Sequence, residues 1–116
     1  MNIDSVRSLF RLFTGEETGD IYLPLVLSAI KEVEGMLLPE ADRTDIRLDY
    51  LCAALANHRL QLIRAAAGKP EYTFAGKLPD KGENNAIVYS ARLLSEYYEL
   101  CRDLIGGSFY FSTVQE

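Results

Sequence analysis

The chain has 116 residues, 48% hydrophobic and 25% charged, with 12 Lys and Arg against 17 Asp and Glu for a net charge of −5. That length argues for one domain over 1–116, burying about 65% of the surface its unfolded chain exposes. The acidic balance opposes phosphate-driven affinity, no apolar run reaches the roughly 18 residues of a membrane span, and MNIDSVRSLFRLF has no signal-peptide pattern. Specific nucleic-acid binding and membrane insertion are therefore not expected. Cys52 and Cys101 lie in helix-like apolar stripes and are expected as free thiols of a reducing cytoplasm.

Residues 4–14 are predicted as a short helix. Val6, Leu9, Phe10 and Phe13 follow the i, i+3, i+4, i+7 rule, with Asp4 placed to cap the start and Gly15 to end it. A polar loop, TGEETGD, follows at 14–20. The second helix is expected over 21–38, with Pro24 in its first turn, Pro39 beyond its end, and a stripe of Leu23, Val26, Leu27, Ile30, Val33 and Leu37. The third runs from about 43 to 67, with Asp42 or Thr44 as cap and Gly68 and Pro70 as the stop. Leu48, Leu51, Cys52, Leu55 and Leu62 line one face, and the alanines at 53, 54, 56 and 65–67 leave room for a close neighbour. The fourth, about 85–105, carries Ile87, Ala91, Leu94, Tyr98, Cys101 and Ile105 at alternating four- and three-residue steps, with Gly106 as a left-handed cap.

Two stretches alternate as strands do. In 71–78, Tyr72, Phe74 and Leu78 interleave with Thr73, Ala75 and Lys77, between Pro70 and Pro79. In 109–114, Phe109, Phe111 and Thr113 would face one way, and Tyr110, Ser112 and Val114 the other. The fold expected is mainly α, a small bundle of three to four helices with a minor β element at about 71–78 and 109–114. The fourth helix would span about 30 Å between those stretches, so the C-terminal strand is expected to pair with a neighbouring subunit.

No chemistry-bearing constellation stands out. His58 is the single histidine, with Asn57, Arg59 and Gln61 beside it, and reads as a hydrogen-bonded helix-face residue rather than a base or ligand. The two Gly-Lys pairs lack phosphate-loop spacing and run into Pro70 and Pro79. The acidic groups lack the alternating pattern of calcium loops, and Glu96, Glu99 and Asp103 fall on the outward side of the fourth helix. Catalytic, metal and cofactor sets are therefore expected to be empty. The residues singled out are aromatic and suited to an interface: Tyr72, Phe74, Tyr97, Phe109, Tyr110 and Phe111.

In layout the chain resembles the head–tail connector (adaptor) proteins of tailed bacteriophages and prophages. The resemblance rests on a short first helix, a second of the LPLVLSAIKEVEGML kind, the alanine-rich RLDYLCAALANHRLQLIRAA, an extended insert EYTFAGKL, and a last helix AIVYSARLLSEYYELCRDLI. It implies a structural protein without catalytic residues, a homo-oligomer forming a ring below the portal during virion assembly, with portal and tail proteins as partners. It places the chain in the bacterial cytoplasm and then in the virion, where acidic charge facing a lumen would let DNA pass. The residues alone leave a second reading, a small cytoplasmic helical adaptor or regulatory binding module in a heteromeric complex, with an enzyme a distant third.

Overall fold

The computed structural model describes residues 1–15, 19–75 and 78–106, with side chains at 1–15, 21–67 and 85–106. Among them are four α-helices, α1 (Ile3–Thr14), α2 (Leu23–Met36), α3 (Ile46–Ala75) and α4 (Leu78–Leu100), with a 3₁₀ turn at Gly19–Tyr22 leading into α2. The protein is mainly α, a small helical bundle.

Capping chemistry sets the helix starts. Asn2, rather than Asp4, caps α1: its Oδ1 accepts from the N–H groups of Asp4 at 2.8 Å and Ser5 at 3.1 Å. Asp4 remains in the first turn, where its charge favours the helix dipole. Asp45 does the same for α3, accepting from the N–H of Arg47 at 2.9 Å, while the expected caps Asp42 and Thr44 bond to each other in the preceding turn. Pro24 sits in the first turn of α2, as its missing N–H allows. Gly15 ends α1 in the left-handed region at φ 77°.

α3 is the axis of the fold. From Leu51 to Asn57 every residue is buried, because α1, α2 and α4 all pack against this segment. Ala53, Ala54 and Ala56 have no exposed surface, so the neighbours approach as closely as their small side chains permit. α1 supplies Val6 and Phe10 to this core, α2 supplies Val26, Ala29 and Val33, and α4 supplies Leu94 and Tyr98. Each large apolar side chain so buried contributes about 1.5–3 kcal/mol. Leu27 and Leu62, expected in buried stripes, are exposed instead, whereas Ala29 and Leu60 are buried.

α4 runs antiparallel to α3. Arg47 bonds to the carbonyl of Leu100 and His58 to Ser90, so the partner number falls as the α3 number rises. α4 stops at Leu100, short of the expected 105, and tightens into a turn: the N–H of Leu104 donates to the carbonyl of Cys101 at 2.8 Å. That turn brings Ile105 against Leu37 in an antiparallel bridge, with bonds from Leu38 N–H to the Leu104 carbonyl (3.0 Å) and from Gly106 N–H to the Met36 carbonyl (2.8 Å). Gly106 is not a left-handed cap, since Gly15 alone among the described residues has positive φ. Its role is close approach, as a Cβ there would lie 3.2 Å from Leu38 Cδ2.

The strand expected at 71–78 is not formed by the described residues of that stretch. Residues 71–75 belong to α3 and Leu78 opens α4, so Tyr72 and Phe74 lie on a helix. The alternating apolar signal there is too short to decide between strand and helix on its own. Gly68 and Pro70 do not stop α3, which continues to Ala75. Residues 76–77 and the expected strand at 109–114 lie outside the described residues.

Candidate functional site

Where the end of α1 meets α3 and α4, three aromatic rings gather. Phe13 stacks on Tyr97 with centroids 6.1 Å apart and planes 26° from parallel, and Tyr50 leans on Tyr97 at 5.2 Å. Pairs of this kind contribute about 0.5–1.5 kcal/mol beyond their burial. The sequence put Tyr98 in the buried stripe and Tyr97 beside it; Tyr98 is buried and Tyr97 half-buried. Burial, then Tyr50 and Glu96, push the Tyr97 hydroxyl above its ordinary pKa. Of the six residues expected at an interface, Tyr97 alone has a described side chain. Tyr72 and Phe74 are placed by backbone only, and Phe109, Tyr110 and Phe111 lie outside the described residues.

Beside the aromatic group opens a cleft of about 210 Å³, lined by Phe13, Tyr89 and Leu93 together with Asn57, Gln61 and Ser90. Asn57 is 5% exposed, and its Oδ1 accepts from Gln61 Nε2 at 3.0 Å. Ser90 lies between the Ile87 carbonyl (3.0 Å) and His58 Nδ1 (2.9 Å). His58 is half-buried, and burial followed by the charge of Arg59 lowers its pKa. A serine and histidine in contact suggest nucleophilic catalysis, but the hydroxyl is 4% exposed in residue terms and already engaged with a main-chain carbonyl one helical turn away. The pair ties α3 to α4, the hydrogen-bonded helix-face role expected of His58.

The cleft was missed at sequence level. Its one signal was Asn57, a carboxamide closing an otherwise apolar run, LCAALA, that turns out to be buried all round.

A second surface lies farther along the hairpin. α3, at 30 residues, is about 45 Å long, whereas the 14 residues of α2 cover about 21 Å. α2 begins beside Arg64, whose guanidinium carbon lies 6.0 Å from the Tyr22 ring centroid. Past this level α3 and α4 continue as a two-helix arm. On the stretch that leads into the arm, none of the described side chains at 61–67 or 85–89 is buried, and Leu62, Ile63, Val88 and Tyr89 are exposed. The arm also fits the radius of gyration, 15.0 Å against roughly 13 Å for a compact chain of this length.

Among the described residues no group of three or more His, Cys, Asp or Glu is placed to hold a metal ion. No described helix is long and apolar enough to cross a membrane. Comparison of the chain with protein-family models, curated proteins and solved structures finds no match.

Proposed function

We propose that this protein is a structural, non-catalytic assembly component of the head–tail connector kind, and that the α3–α4 arm is where one copy meets the next. The observation that carries the reading is the exposed apolar set at the base of the arm, Leu62 and Ile63 just before Arg64 on α3 and Val88 and Tyr89 on α4. Adjacent exposed apolar pairs on two neighbouring helices offer an interaction surface. A second copy is the occupant because the resemblance in layout is to ring-forming proteins. The helix order behind that resemblance is present; the extended insert is not, since α3 is helical through Ala75.

Sedimentation velocity and negative-stain microscopy across a concentration series test the reading. The parent chain is expected to assemble with rising concentration, and Leu62→Glu with Ile63→Glu to remain monomeric with unchanged helical circular dichroism. Deleting 108–116 separates the arm from the chain end, since loss of assembly there alone would move the contact to the C-terminal segment. A parent chain that stays monomeric throughout the micromolar range and beyond overturns the proposal.

A further inference from the structure

Asn57 occupies a position that an apolar residue would fill at less cost. Leu51 to Ala56 before it are all apolar and buried, and a carboxamide must be desolvated to sit among them. Only half of its capacity is used inside the protein. Oδ1 accepts from Gln61, whereas the Asn57 NH₂ group meets no acceptor among the described residues. No buried side-chain nitrogen or oxygen among those residues lacks a partner, so this NH₂ keeps some exposure, on a residue that lines the cleft. Gln61, half-buried at the same cleft, keeps its carbonyl oxygen unused. Turning both carboxamides over leaves the same outcome with the residues exchanged: one donor and one acceptor, one helical turn apart on α3.

We infer that this cleft binds a planar amide edge, a C=O next to an N–H, carried on a flat or apolar body. A neighbouring donor and acceptor are complementary to that edge and to few other groups. A phosphate or carboxylate would set its oxygens against the free acceptor, and a cation would find no Asp or Glu in the lining. Ser90 is already held by Ile87 and His58, so recognition falls to the two carboxamides. Phe13, Tyr89 and Leu93 supply apolar surface for the body of the ligand. The volume, about 210 Å³, lies below the ~300–1,000 Å³ of sites that enclose whole ligands, which limits the occupant to one ring or one residue. This site does not depend on the assembly reading.

The amide edge has two sources, a peptide group of a partner chain and a free cyclic amide of the pyrimidine kind, and two probes separate them. The ¹⁵N-labelled full chain is titrated with N-acetyl-phenylalanine methylamide and, separately, with uracil, following the side-chain NH₂ resonances of Asn57 and Gln61. Saturable shifts of those resonances in the millimolar range are expected with at least one probe, weakened about tenfold or more by Asn57→Leu or Gln61→Leu. Gln61→Leu, at the half-exposed side of the cleft, keeps the test valid if Asn57→Leu does not fold. A response to the peptide probe alone assigns a partner segment, and one to uracil alone assigns a free ligand. No saturable shift with either probe, or undiminished binding by a folded variant, overturns the inference.

Discussion

Arg47, in the first turn of α3, holds Asp103, beyond the end of α4, through Nη1 to Oδ1 at 3.0 Å and Nη2 to Oδ2 at 3.2 Å. The same guanidinium donates to the Leu100 carbonyl at 2.7 Å, answering one of the acceptors that the end of α4 leaves free, and to Asp45 at 2.9 and 3.1 Å. Its hydrogen bonds hold the Asp103 and Asp45 carboxyls below the ordinary carboxylate range. Depressed carboxyl pKa values give stability that is present above the unfolded-state value near ~3.9 and lost as pH falls through the folded values. Arg47→Ala should therefore lower the melting temperature near neutral pH in dilute buffer. The gap to the parent should shrink in about 1 M salt, because the groups are partly exposed and screened, and again in acid as the carboxylates take up protons. A gap indifferent to salt and pH would assign the loss to packing of the side-chain stem.

Leu94 is 2% exposed and faces α3, whereas Leu100 on the same helix is 54% exposed. Leu94→Ala should cost about 2–5 kcal/mol by lost burial and the cavity left behind. Leu100→Ala should stay within about 0.5 kcal/mol, the usual range for surface positions. Urea denaturation of the two variants compares them directly, and equal losses would contradict the packing of α4 described here.

His58 predicts a second pH effect, separate from the carboxylates. Burial and Arg59 disfavour its charged form in the folded protein, so below the unfolded-state value near ~6.5 the unfolded chain binds more protons. Stability should fall as pH drops from about 7.5 toward 5, and His58→Gln should flatten that part of the curve. Denaturant midpoints at several pH values provide the check, and a variant with the parent's slope would remove His58 as the cause.

The two thiols should be inert while the protein is folded. Burial, then the nearby charge of Asp49, pushes Cys52 up to about 12, and burial pushes Cys101 up to about 11. The thiolate is the reactive form. Iodoacetamide at about pH 8 should leave both unmodified in native buffer and alkylate both in denaturant, as read by intact mass. Rapid labelling of either in the folded state would mean that the core opens there.

Much of the bundle was legible because its helices obey simple periodicity. Val6 and Phe10 in α1, Leu48, Leu51, Cys52 and Leu55 in α3, Leu94 and Tyr98 in α4, and Cys101 just beyond it are buried as their spacing requires. Helix ends were less legible, since they depend on competition between neighbours. Asn2 and Asp45 took the caps from Asp4 and Asp42, and α3 ran on through Gly68 and Pro70 to Ala75. The stripe rule also failed at Leu27 and Leu62, which stay exposed among the described residues on a face that the pattern marks as apolar. The candidate cleft was less visible still. Asn57, Gln61 and Ser90 come from two helices, and no local spacing records that α4 will bring Ser90 opposite His58.

The bridge between Leu37 and Ile105 joins the end of α2 to a segment that is synthesised much later. Until then α3 has α1 and α2 beside it but lacks the flank that Leu94, Tyr98 and Ile105 will cover. A nascent chain emerging N-terminus first thus carries its central helix half dressed, and that interval is the opening for a chaperone, or for premature encounter with another unfinished copy.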